Sequence, residues 1–420
     1  MTRVPNLRWW IAGLLAAATA LNYLDRQNLP VVVTELQKSI PLTDRQFSEL
    51  QSLFLLAYGL MYAGGGRILD VLGTRASYAV MIAWWSLANM MHGLVTGVLG
   101  LGTAHFLLGV GEGGGFPGSA KAVSEWFPAR ERSFAFGLFN TGSSVGALIA
   151  PPMIAGIVLW LNWRWVFFIT GVLGLVWVPA WLRLYEVPGK HRLITQGEWE
   201  YIENSLPIAE KAGPCIPWLS LLGFHQVWGL CGAKFLSDSA WYFFIFWLPK
   251  YLADVRHLNI NEIGYYAWIP YAFAGAGSLV GGWLSSFLIR RGLSLDVSRK
   301  IALGISASLM PTSLLISESP LSLVIVFFSM AMFGHQFWST ILQTLAADMF
   351  PSTTVGSVSG LLGAVGSFGG MLFNLLVGAL LTAYHSYAIV FLISGVLHPA
   401  SYIMILLVVR RIKLLVGADH

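Results

Sequence analysis

The sequence is short of charge. Lys, Arg, Asp and Glu make up 11% of its 420 residues, against roughly 25% in a soluble domain, while 56% of the residues are hydrophobic. A water-soluble chain of this length could not hide so much apolar surface in its cores. Cysteine is nearly missing too. Cys215 and Cys231 are the only two, too few for a disulfide framework or a cysteine metal site. Polar stretches are scarce outside residues 187–220. Nor is there a nucleophile–base or metal constellation, so the chain is expected not to be an enzyme and to need no cofactor beyond protons.

What is present is a series of apolar runs of about twenty residues, each long enough to cross a hydrocarbon layer. They predict spans near 8–33, 46–69, 76–98, 101–123, 133–160 and 164–186, then 223–252, 262–289, 298–316, 320–347, 355–383 and 387–409. Turn-like or charged breaks such as Pro41-Leu42-Thr43-Asp44, Gly73-Thr74-Arg75 and Arg290-Arg291-Gly292 separate them. The first run continues past its small residues into Asn22-Tyr23-Leu24-Asp25-Arg26, so it reads as an uncleaved helix and not as a signal peptide.

The basic residues orient the spans. Of the 25 Lys and Arg, Arg26 and Lys234 fall within spans, and Lys38, Arg45, Arg164, Lys250 and Arg256 fall in loops on one side. All the others lie on the side of the two termini, which the positive-inside rule assigns to the cytoplasm. The pI near 9.2 thus reflects topology, and no nucleic-acid partner is implied. The expected location is the bacterial inner membrane, with the lipid bilayer as main solvent and the chain acting as a monomer.

An internal repeat divides the chain. Glu125-Trp126-Phe127-Pro128, Gly137-Leu138, Ser144 and Gly146 reappear at a constant offset as Asp348-Met349-Phe350-Pro351, Gly360-Leu361, Ser367 and Gly369. Tyr23 and Leu29-Pro30 are echoed by Tyr242 and Leu248-Pro249. The fold class is therefore an all-α polytopic membrane protein with twelve transmembrane helices in two six-helix bundles related by a pseudo-two-fold axis, at 1–186 and 221–420. Between them, Thr195-Gln196-Gly197-Glu198 matches a capping box that could start a short surface helix. Transporters built from repeats place their substrate near the midplane, between the halves.

Gly66-Arg67-Ile68-Leu69-Asp70-Val71-Leu72-Gly73-Thr74-Arg75 resembles the loop motif of the major facilitator superfamily through Gly66, Asp70, Gly73 and Arg75, with Val71 in place of the usual basic residue. Its role there is structural and gating-related.

Ionisable side chains in hydrocarbon cost at least about 2.5 kcal/mol each, so each needs a reason. Asp25 and Arg26 point about 100° apart on a helix. They are either a braced neutral pair, or an anion-clamping Arg beside an acid that exchanges protons. His105 and Glu112 lie two turns apart on one face, with Glu112 in the run Gly109-Val110-Gly111-Glu112-Gly113-Gly114-Gly115. Such an acid suits proton uptake and release, whereas His105 reads equally as a packing histidine. Lys234 and Asp238 have the i, i+4 spacing of an intrahelical ion pair and read as structural. His335-Gln336 with Trp338 and Ser339 forms a polar cluster read as substrate contact. Trp241, Tyr242, Tyr23 and Tyr58 could stack on a sugar ring.

Asn22-Tyr23-Leu24-Asp25-Arg26, the glycine-rich fourth span and Glu125-Trp126-Phe127-Pro128 resemble the anion:cation symporter family of that superfamily. Lys234-Phe235-Leu236-Ser237-Asp238 and Trp247-Leu248-Pro249-Lys250-Tyr251-Leu252 are similar to its hexuronate group in particular. The resemblance implies that Arg26 binds the substrate carboxylate and that Asp25 and Glu112 carry protons. It also implies that Tyr23, Tyr58, Ser143 and Ser144 line the site. Many members have an Arg seven residues before the fourth-span acid; here that position is His105, which favours a monocarboxylate. The expected activity is proton symport of a sugar-acid anion, a hexuronate first and an aldonate second. The competing readings are a carrier of other organic anions and, in a different class, a membrane nutrient sensor. A sensor would be expected to append an output domain, for which 187–220 and 411–420 are too short.

Overall fold

The computed structural model describes residues 4–127, 129–205, 218–350 and 352–413. Among them the chain is helical throughout, with one isolated bridge between Val4 and Ile194. The first six spans are α1 (Leu7–Gln37), α2 (Asp44–Leu72), α3 (Thr74–His92), α4 with α5 (Val98–Glu112 and Gly115–Trp126), α6 (Ala129–Trp160) and α7 (Trp163–Leu184). The linker helix is α8 (Gln196–Ser205). The last six spans are α9 (His225–Asp254), α10 with α11 (Ile260–Tyr266 and Trp268–Arg290), α12 (Leu295–Leu309), α13 (Leu321–Met349), α14 (Ser352–Tyr384) and α15 (Ala388–Met404). Six stretches, Trp163–Leu184 and Ser357–Tyr384 among them, have the length and hydropathy to cross a membrane by themselves. α1 and α9 carry the ionisable pairs within their lengths.

The expected spans are all present, and the breaks within them have local causes. The fourth parts at Gly113 and Gly114, where helix propensity is low. The eighth parts at Ala267 because Pro270 has no N–H for the carbonyl of Tyr266 and its ring crowds that carbonyl. Pro311 likewise ends α12 in a 3₁₀ turn, Met310–Leu315. Between α2 and α3 the chain turns at Gly73, whose φ of 79° lies in the left-handed region that a Cβ disfavours.

Within each half, one glycine at the repeat offset lets two spans touch backbone to backbone. A Cβ on Gly146 of α6 would meet Ala20 O of α1 at 2.2 Å, and one on Gly369 of α14 would meet Phe235 O of α9 at 2.4 Å. Such small-residue contacts replace the hydrophobic drive that lipid cannot supply. The halves meet along α2 and α14, α6 and α10–α11, and α1 and α9.

The linker is tied to the first half. Arg8 Nη1 donates to Glu198 at 2.8 Å and its Nε to Glu131 at 2.9 Å. The expected cap on α8 forms only in part. Glu198 N donates to Thr195 Oγ1 at 3.3 Å, but the Glu198 carboxylate caps α1, taking the Leu7 and Arg8 amides at 2.9 and 3.2 Å. A carboxylate at a helix N-terminus is favoured by the dipole and the free N–H groups.

Candidate functional site

A cavity of about 120 Å³ lies between the halves. One water takes up roughly 10–15 Å³ on this measure, so a molecule of sugar-acid size fits the space. The first half contributes Tyr23, Arg26, Tyr58, Tyr62, Phe116, Asn140 and Ser143. The second contributes Lys234, Asp238, Trp241 and Tyr242 from α9, His335, Gln336, Ser339 and Gln343 from α13, and Ser359 and Gly363 from α14. Beyond the aromatic rings, this wall is built almost wholly of hydroxyls, amides, the two cations Arg26 and Lys234, and the Asp238 carboxylate.

Arg26 is the centre of the first half's wall. Its guanidinium lies over the rings of Tyr58 and Tyr23, 4.6 and 4.8 Å from their centroids, with Phe54 at 5.3 Å. Nε and Nη2 donate to one oxygen of Glu112, Oε2, at 3.1 and 3.0 Å, and Nη2 also reaches Asn22 Oδ1 at 3.2 Å. The other oxygen, Glu112 Oε1, is buried with no partner among the described residues. A carboxyl oxygen without a donor can accept a proton without breaking an existing bond.

Asp25 does not pair with Arg26. It faces the interior of the first half, where Asn89 Nδ2 donates to Oδ1 at 2.8 Å and also lies 2.7 Å from Thr170 Oγ1. Asp25 Oδ2 has no partner among the described residues. The neighbours in sequence thus serve different places, and Arg26 takes its counter-ion from α4. Pro30 lies one turn beyond, where its missing N–H leaves the Arg26 carbonyl without its helical donor.

His105 does not reach the cavity. Nδ1 is 3.1 Å from His92 Nε2 and Nε2 is 3.3 Å from Gln51 Oε1, with the ring against Phe54. This is the packing arrangement, so among the described residues Arg26 is the one cation on the first half's side of the cavity. Ser144 is also displaced from its expected place: it packs against Gly275 of α11 at the seam, while Ser143 and, one turn earlier, Asn140 line the wall. α6 is a single helix here, and adjacent residues point about 100° apart.

In the second half, Lys234 and Asp238 form the expected pair, Nζ lying 3.0 and 2.9 Å from the two carboxylate oxygens. The pair is part of the cavity wall, a location that spacing alone did not show. Trp241 lies flat on His335, with centroids 4.6 Å apart and planes 8° apart. His335 Nδ1 is 3.0 Å from His398 Nε2 of α15, a partner the sequence reading missed. Gln336, Ser339 and Gln343 follow helical spacing along α13. That stripe was the available signal for Gln343, whereas Ser359 and Tyr62 carried none.

Of the loop motif, Gly66 and Asp70 belong to α2, and their side chains lie outside those described. Gly73 makes the turn, and Arg75 pairs with Glu186 at 3.2 Å while Nη2 donates to Leu182 O at 2.5 Å. The repeat partners Glu125 and Asp348 occupy like places. Glu125 accepts from Thr74 at 2.7 Å and from Tyr185, and Asp348 accepts from Arg299 at 2.8 Å.

The described hydrogen bonds and ion pairs between the halves all lie on the far side of the cavity from the termini. Lys250 of α9 reaches Asp44 of α2 at 2.8 Å, and Ser52 Oγ donates to Met371 O at 3.0 Å. The Tyr271 hydroxyl lies 3.0 Å from Gln27 Oε1 and 3.3 Å from Ile245 O. Ile245 is the residue whose helical donor Pro249 lacks. The inter-half contacts thus close the face away from the termini, and on the terminal side the cavity reaches Gln343 and Ser359.

A family model described as the Major Facilitator Superfamily matches residues 15–369. A hexuronate transporter of Escherichia coli (strain K12) is 34% identical over 385 residues, covering 90% of this chain and 89% of that protein. A galacturonate transporter of Dickeya chrysanthemi is 34% identical over 74% of this chain and 91% of its own length. A D-galactonate transporter of Escherichia coli O6:H1 is 29% identical over 97% of this chain and 98% of that one. Among solved structures, a bacterial homolog of the human lysosomal transporter Spinster, inward-facing and unoccupied, superposes with a TM-score of 0.73 at 18% identity, over 97% of this chain and 96% of that one.

Proposed function

This chain belongs to the Major Facilitator Superfamily, and we propose that it is a proton-coupled symporter importing a sugar-acid monoanion. The substrate is a hexuronate such as glucuronate or galacturonate, with aldonates such as galactonate second. The observation that carries this reading is Arg26, aimed at a hydroxyl- and amide-lined cavity and neutralised there by Glu112.

The coupling follows from charge. An unpaired cation in a low-dielectric site is costly, so Arg26 keeps either the Glu112 carboxylate or a carboxylate from outside. Protonation of Glu112 releases the guanidinium, whose planar fork then takes the substrate carboxylate by two parallel hydrogen bonds. Once Glu112 loses its proton it competes for Arg26 and favours release. Asp25, with its own unpartnered oxygen, holds a second proton inside the first half. The halves rock about the cavity, with the seam at Lys250 and Asp44 closed to the outside while the terminal, cytoplasmic face releases. In this reading the protein sits in the inner membrane and works as a monomer.

The test is uptake of radiolabelled glucuronate into proteoliposomes under an imposed inward proton gradient. Excess unlabelled galacturonate or galactonate is expected to compete, and glucose is not. Absence of gradient-stimulated accumulation of all three sugar acids would overturn the proposal.

A further inference from the structure

The Lys234–Asp238 pair presents a chemistry that a purely structural role does not account for. Both residues are at least nine-tenths buried, and a buried ion pair is often no more stabilising than apolar residues of similar volume. Its location is informative. A Cβ on Gly366 of α14 would lie 2.3 Å from Asp238 Oδ2, so α14 closes off the back of the pair and the cavity is its open side. Lys234 has three N–H donors, and among the described residues the carboxylate takes its hydrogen bonds from that one ammonium. Donor and acceptor capacity both remain, side by side.

That combination fits hydroxyl groups, which donate and accept at once. It does not suit a second carboxylate, which would meet Asp238 and have to break the ion pair. The neighbours Gln336, Ser339 and Gln343 offer the same mixed capacity. We propose that Lys234–Asp238 is the subsite that reads the hydroxyls of the sugar acid, and that it sets specificity for polyhydroxylated carboxylates over plain ones. The proposal rests on the sugar-acid reading above: the substrate's carboxylate engages Arg26 in the first half and its hydroxyls engage α9 in the second, so that one molecule bridges the two bodies that must move together.

The test is calorimetric binding at one pH of glucuronate and of cyclohexanecarboxylate, a six-membered-ring carboxylate without hydroxyls. The proteins are wild type, the apolar double variant Lys234→Met/Asp238→Leu and the swapped variant Lys234→Asp/Asp238→Lys, each with a melting curve. Wild type is expected to prefer glucuronate by at least about tenfold, a margin of 1.4 kcal/mol. In both variants glucuronate affinity is expected to fall by at least about tenfold, with cyclohexanecarboxylate unchanged within about twofold. The swap retains an ion pair and hence the fold; a structural role would be rescued by it and a recognition role would not. Equal loss of both ligands, or retention of glucuronate affinity in either folded variant, overturns the subsite. Binding of neither ligand to wild type overturns the sugar-acid reading itself.

Discussion

Arg26 and Glu112 stand 86 positions apart in the chain and meet at a single carboxylate oxygen, Oε2, with Nε and Nη2 at 3.1 and 3.0 Å and Oε1 left without a partner. One cation held by one removable anion is the minimum needed to couple the binding of a proton to that of a carboxylate substrate, and both members of the pair can be tested.

Arg26→Lys is expected to leave the protein folded and to weaken glucuronate binding by about 1.5–3 kcal/mol, the scale of a hydrogen bond to a charged group, or more than about tenfold. An ammonium cannot reproduce the two parallel bonds of the guanidinium fork. Glucose should not bind wild type appreciably, since it brings no counter-ion for Arg26. Calorimetry on the two proteins decides the matter; equal glucuronate affinities would remove the clamp.

Glu112→Gln keeps the size and hydrogen bonding of the side chain and loses its titration. Gradient-driven uptake is expected to vanish while counterflow exchange persists. In wild type, binding should be strongest at low pH, where Glu112 is protonated and Arg26 is free, and should weaken as pH rises through the Glu112 titration. In the variant that dependence should flatten. Full gradient-driven uptake by Glu112→Gln would exclude Glu112 from coupling.

Lys250→Gln removes the inter-half ion pair to Asp44 on the closed face. Asp44 is one-third exposed, so the loss is modest, about 0.2–1 kcal/mol by the scale of exposed pairs. The expected result is a shift of up to about fivefold toward the conformation open on that face. Spin-label distances between the α1–α2 loop and the α9–α10 loop should lengthen in a larger fraction of molecules; an unchanged distribution would show that the pair does not hold the face closed.

His105 is bonded on both ring nitrogens and lies off the cavity. His105→Ala should therefore destabilise the fold by about 1–3 kcal/mol, through the unsatisfied His92 and Gln51, and leave glucuronate affinity unchanged. A melting curve and a binding isotherm on the same preparation separate the two effects. A loss of affinity without a loss of stability would place His105 in the site after all.

The spans, their order and the repeat could be read directly from the chain, because apolar length and helical capping are local properties. So could the Lys234–Asp238 pair, since residues four apart on a helix are neighbours in any fold. The breaks in the fourth and eighth spans have visible causes in Gly113-Gly114 and Pro270, although apolar length alone predicts continuous runs there. The resemblance put both Ser143 and Ser144 at the site, and only the packing of α6 on α11 leaves Ser143 on the cavity and turns Ser144 to Gly275.

The sequence by itself determined that the chain is built of long apolar spans, that two like halves enclose a middle, and that few charges are available there. Only the tertiary structure decided that Arg26 pairs with Glu112 and not with Asp25, that His105 is a packing residue, and that Lys234 and Asp238 face the cavity. The reason is physical. A span is specified by residues within about twenty positions of one another, whereas the partner of a buried charge is set by how helices rotate and pack, and glycine contacts such as Gly146 on Ala20 fix that rotation across distances in the chain that no local pattern records.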